Sequence, residues 1–142
     1  PRASAISRCP TFDAWHYGLS SRMPPVTRGA SGGVAGAVAR FAQRDVLYLQ
    51  GRNDTCDCVV DTPGCTCFSH GLETACEDEL MGRYRLQRGR LYYAALQTFF
   101  SRNASASQFP PQVHRMLEIP NVGHDHSLIW QSEQGRAAIF GQ

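Results

Sequence analysis

The chain has no lysine: all 14 of its basic residues are arginine, and the formal charge is only +2. No arginine-rich stripe falls on an expected helix. The bias therefore reads as a coding preference, with solvated arginines and no nucleic-acid surface. No run of 18 apolar residues occurs, which excludes a transmembrane helix and leaves no membrane partner to expect. Internal repeats and low-complexity segments are lacking too. Charged residues make up only 18% against 42% hydrophobic, the balance of a folded globular chain and not a disordered one. Neither an initiator methionine nor a signal peptide precedes Pro1, so the chain reads as a processed product or a fragment. At 142 residues it is one domain, 1–142, or part of one.

Cysteine, by contrast, is plentiful, with six in 142 residues. Two Asn-x-Ser/Thr sequons, at Asn53 and Asn103, are compatible with the secretory route; localisation stays open, with a lean toward the extracellular side. Cys56-Asp-Cys58 and Cys65-Thr-Cys67 lie in a polar excursion over residues 51–70. Four thiolates can hold zinc, but single-residue spacing is unlike the usual zinc knuckle, so disulfides are the expected use and no metal site is assigned. Six cysteines allow 15 pairings. Cys76 is expected to pair with a cysteine of the excursion.

Residues 1–32 read as an irregular leading segment rich in proline, glycine and serine, with Phe12, Trp15 and Tyr17 packing on the body of the domain. A helix is expected from Gly33 to Arg44, where Val34, Val38 and Phe41 recur at helical spacing. The apolar run from Asp45 to Gln50 predicts a strand buried on both faces of a parallel sheet. Leu72 to Leu80 forms a weak acidic helix. Leu86 to Arg102 forms a stronger one, with Tyr92, Leu96 and Phe99 on one face. Gln112 to Ile119 is the second strand. Two short helices close the chain, Ser132 capping the last of them. Strand, helices, strand and helix in this order predict an α/β protein with parallel strands and flanking helices.

Chemistry is expected where the two strands end. Met116-Leu-Glu-Ile-Pro-Asn-Val-Gly-His-Asp-His126 is a strand that breaks at Pro120, turns through Gly123 and presents His124 and His126. An imidazole titrates near neutrality, which suits it to proton transfer. Asp54 follows the other strand and offers the carboxylate that would hold the tautomer of His124. Working groups in open α/β sheets gather beyond the carboxyl ends of the strands, and strands consecutive in a βαβ unit are usually neighbours. The two residues, 70 positions apart, are therefore expected to meet. Asp57 is a rival acid and His126 a rival base, its ring expected to face elsewhere. Asp125 is placed to cap the helix after His124.

Val46-Leu-Tyr-Leu-Gln-Gly-Arg-Asn-Asp-Thr55 followed by Ile119-Pro-Asn-Val-Gly-His-Asp125 resembles the carboxyl-terminal half of an α/β-hydrolase. Asp13-Ala-Trp-His-Tyr-Gly-Leu19, Arg83 to Gly89 with Tyr92, and Ser132 to Gly141 are similar to recurrent segments of one branch of that superfamily. The resemblance implies a serine hydrolase acting on an ester or amide, with no cofactor, Asp54 as the acid and His124 as the base. The nucleophile is less well supplied. Gly29-Ala-Ser-Gly-Gly33 matches Gly-x-Ser-x-Gly, but no apolar strand precedes Ser31, and only 23 positions separate it from Asp54. The run is read as a glycine-rich loop. Nucleophile and oxyanion hole would then belong to an amino-terminal half, with an exposed strand edge here in need of it. Two other readings stand beside this one: a non-catalytic extracellular binding module on the same fold, and a metal-binding domain built on the CxC pairs.

Overall fold

In a computed structural model of the chain, residues 6–15, 17–19, 21–56, 71–102 and 114–141 are described. They form a mixed helix and strand structure built on a two-stranded parallel sheet. In chain order the elements are α1 (Pro25–Ser31), α2 (Gly33–Ala42), β1 (Val46–Gly51), α3 (Cys76–Met81), α4 (Arg85–Arg102), β2 (His114–Ile119), α5 (His126–Gln131) and α6 (Glu133–Phe140). β1 and β2 pair from Val46 opposite His114 to Gly51 opposite Ile119, so both strands end at the same level. The crossover between them carries α3 and α4, the βαβ arrangement a parallel pair requires.

Side chains alternate across the sheet, and the two faces are covered differently. On one face Tyr48 meets the rings of Tyr92 and Tyr93 of α4, and Arg90 of α4 grips Glu118 through two bonds of 2.6 and 2.7 Å. His114 is buried on this face. Its Nε2 lies 2.9 Å from the Phe41 carbonyl and its Nδ1 3.1 Å from the Tyr48 hydroxyl, while Phe41 and Phe100 pack edge-on against the ring. Burial, then the neighbouring Tyr92 hydroxyl, raises the Tyr48 pKa above its ordinary value. The Phe41 carbonyl only accepts, so Nε2 of His114 donates to it and Nδ1 accepts from the Tyr48 hydroxyl. On the other face, Leu49 and Ile129 of α5 share a cavity. The strands themselves are mostly half-buried, with Gly51, His114 and Ile119 buried and Arg115 exposed, because the sheet has just two strands among the described residues.

The leading segment departs from its expected irregularity at residues 25–31, which are helical. Pro25 occupies the first turn of α1, where its missing amide hydrogen costs nothing and its fixed φ suits the helix. Gly32, at φ 70°, caps α1 in the left-handed region, and Gly33, at φ 81°, starts α2. The expected glycine-rich loop is thus a sharp helix-to-helix junction. The acidic helix is shorter than expected, starting at Cys76 and stopping at Gly82, whose φ of 134° few other residues adopt.

Cys76 pairs with Cys9 and not with the excursion. The disulfide fastens the leading segment to α3, helped by Thr11 on Glu77 and by the Tyr17 hydroxyl on Asp78 at 2.9 Å. Asp78 is buried, and Arg88 satisfies it from α4 at 3.2 Å. Phe12 and Trp15 stay about two-fifths exposed, so the expected aromatic cluster covers the body only in part. Cys56 is disulfide-bonded as well, and no cysteine among the described residues is free. The rest of the CxC pairs (Cys58, Cys65 and Cys67), the rival acid Asp57, and Asn103 lie outside the described residues.

Candidate functional site

The turn after β1 runs Gly51-Arg-Asn-Asp54 and closes on itself, the Asp54 amide donating to the Gly51 carbonyl at 3.2 Å. The turn after β2 is made by Pro120 and Asn121. Asn121 takes the left-handed conformation at φ 60°, which its short side chain tolerates. The expected pivot, Gly123, needs no such conformation. The two turns are laced together: Arg52 donates its amide to Ile119 at 2.8 Å and Asn53 donates to Val122 at 2.8 Å. These bonds carry the strand pairing past the ends of the sheet.

Gly51 permits the lacing. A Cβ there would run into the carbonyl oxygens of Val122 and Gly123. The Asp54 carbonyl accepts the Leu86 amide at 3.1 Å, anchoring the start of α4 to the acid turn. Beneath this junction Tyr84 and Leu86 form a buried core that Cys56 and Leu72 cover.

Asp54 and His124 are thereby brought together, with His124 Nδ1 2.9 Å from Asp54 Oδ2. Their surroundings differ sharply. The Asp54 side chain is 7% exposed, whereas that of His124 is 67% exposed. A carboxylate oxygen only accepts, so the shared proton rides on Nδ1 and leaves the lone pair on Nε2. Among the described residues Nε2 has no partner. His114 is the informative contrast: buried, with both nitrogens engaged, it is a structural histidine, whereas His124 holds one nitrogen fixed and presents the other.

The pair opens on a cavity of about 360 Å³ lined by Leu49, Gln50, Gly51, Arg85, Asp125, His126 and Ile129 beside Asp54 and His124. Asp125 caps α5 as expected, its Oδ1 accepting the Leu128 amide at 3.0 Å. His126 borders this cavity from the first position of α5, and its ring packs edge-on against Trp130, which is not in the cavity lining. It makes no bond to Asp54.

Ser31 ends α1 and follows a helix, not a strand, so no nucleophile elbow is built there. Among the described residues, no serine, threonine or cysteine lines the cavity. Arg85 and Gln50 are cavity residues that sequence reasoning passed over. Arg85 stands in a run with Arg83, Arg88 and Arg90, and nothing in spacing separates one of these from the others. Comparison with protein-family models, with curated proteins and with solved structures finds no match.

Proposed function

We propose that this chain carries the acid and base of a serine hydrolase of the α/β-hydrolase type, acting on an ester or amide. The observation that supports this most is the 2.9 Å contact between His124 Nδ1 and Asp54 Oδ2 beyond the carboxyl ends of two adjacent parallel strands. In the proposed reaction His124 Nε2 takes the proton of a serine hydroxyl as its oxygen attacks the acyl carbon. It then delivers that proton to the leaving oxygen or nitrogen. Water repeats the cycle on the acyl-enzyme, giving up its proton to the same nitrogen and releasing the acid and the serine. Asp54 holds the Nδ1 proton in place and stabilises the imidazolium while it lasts. The nucleophile is proposed to come from sequence outside these 142 residues. The lack of a hydroxyl or thiol in the described cavity lining favours a second reading, a binding module that keeps the pair without the reaction.

One experiment separates the two. The reading frame that contains these residues is treated with a fluorophosphonate probe, which forms a covalent bond to an activated serine. Labelling is expected in the native protein, slowed about 10⁶-fold by His124→Ala and about 10⁴-fold by Asp54→Asn. No labelling, or labelling indifferent to His124, overturns the hydrolase reading.

A further inference from the structure

The arginines around the start of α4 divide by what they hold. Arg88 reaches Asp78, the Gly82 carbonyl and the Glu73 carbonyl, and so fastens α3 to α4. Arg90 is committed to Glu118, which Arg52 approaches as well at 3.7 Å. Arg85 lines the cavity beside His124, half-buried, and has no acidic partner among the described residues. The two carboxylates in the same cavity are turned to other duties. Asp54 Oδ2 faces His124 Nδ1, and Asp125 Oδ1 receives the Leu128 amide. The backbone next to Arg85 is anchored, because the Leu86 amide is bound to the Asp54 carbonyl at 3.1 Å.

A guanidinium cannot shed its charge. In a half-buried position it presents a planar fork of donors that matches a carboxylate. We infer that Arg85 is the anion-recognition group of this cavity, and that the substrate is an ester or amide that also carries a carboxylate. This deepens the hydrolase reading and rests on it for the word substrate; the anion site itself does not. A singly charged carboxylate fits better than a phosphate. One guanidinium stands beside two carboxylates, a lining with no net positive charge to spare, and a dianion generally gathers more than one cationic donor. The guanidinium would hold the far end of the molecule and set the reacting carbonyl near His124. Arg85 is thus a specificity-determining residue and takes no part in proton transfer.

The test uses the full 142-residue chain, isotopically labelled, with hexanoate and its neutral isostere hexanamide as probes. Resonances of the His124 ring and of the Arg85 Nε–H group are followed by NMR. Hexanoate is expected to shift both saturably, with a Kd about tenfold or more below that of hexanamide. Arg85→Gln is expected to abolish that preference, and Arg85→Lys to keep part of it, since the charge survives without the fork. The comparison of the two probes on the native chain needs no variant, so a misfolded Arg85→Gln protein does not rescue the idea. Equal affinity for hexanoate and hexanamide overturns the proposal. So does a hexanoate Kd that stays within about twofold in a folded Arg85→Gln chain. Tighter binding of inorganic phosphate than of hexanoate overturns the carboxylate assignment. Fluorophosphonate labelling reports separately on the hydrolase reading: hexanoate preference with no labelling leaves the anion site standing and removes the reaction.

Discussion

Replacing Gly51 by alanine should do more damage than its single methyl group suggests. The new Cβ would overlap the backbone oxygens of Val122 and Gly123, neither of which is the flexible end of a side chain. Relief requires the acid turn and the histidine turn to move apart. Such overpacking costs about 1–3 kcal/mol. The motion also strains the Arg52-to-Ile119 and Asn53-to-Val122 bonds, worth about 1 kcal/mol each when lost. The expected destabilisation is about 2–4 kcal/mol. At a urea slope of about 2 kcal/mol per M, the unfolding midpoint falls by about 1–2 M.

Gly123→Ala is the matched control. A Cβ there meets only the Asn53 carbonyl oxygen, at 3.8 Å, an ordinary contact, so its cost should stay within about 0.5 kcal/mol. Urea unfolding with the disulfides intact measures both. The NMR signals of the His124 ring report whether the pair with Asp54 survives, and they should move in the Gly51 variant alone. Equal costs, or a greater cost at Gly123, would refute the lacing of the two turns.

Two further outcomes follow from the packing around the site. The Arg90 hydrogen bond, opposed by burial and aided by the charges of Arg90 and Arg52, lowers the pKa of Glu118. Its contribution is therefore fully present above the unfolded carboxylate pKa of about 4.3 and is lost as pH falls through the lower folded value. With the two side chains 22% and 43% exposed, Glu118→Gln should cost about 1 kcal/mol at neutral pH and nothing near pH 2; a difference that does not change with pH would count against the pair. The Cys9–Cys76 bond spans 67 positions, and removing it by a double Cys→Ala change should cost up to about 4 kcal/mol by loop entropy. A cost under about 1 kcal/mol, measured by thermal or urea unfolding, would mean that the leading segment holds to α3 without it.

Much of the local structure was legible in the residues. Asp125 and Ser132 are capping types at helix starts, and each accepts the backbone amide expected of a cap, at 3.0 and 2.9 Å. The apolar run ending at Gln50 and the one ending at Ile119 are strands because their residue types suit a pleated, half-buried surface. α1 was missed for an equally local reason. Pro25 stands in its first turn, where proline favours a helix although the same residue disfavours a strand. The turn expected through Gly123 has its left-handed residue at Asn121, whose short side chain tolerates that conformation.

By itself, then, the chain determined where each strand stops and which groups stand just beyond it, since hydrogen-bonding choices within a few residues depend on the residue types present. Only the tertiary structure decided the rest. The register that sets Gly51 opposite Ile119 brings Asp54 to His124, and a slip of one residue would have turned one strand's side chains to the other face. The choice of Cys9 for Cys76 depended on the fold laying the leading segment against α3, and Arg85 is without an acidic partner because Asp78 and Glu118 are held by Arg88 and Arg90. Such competition is between groups distant in the chain, and no spacing along it records the outcome.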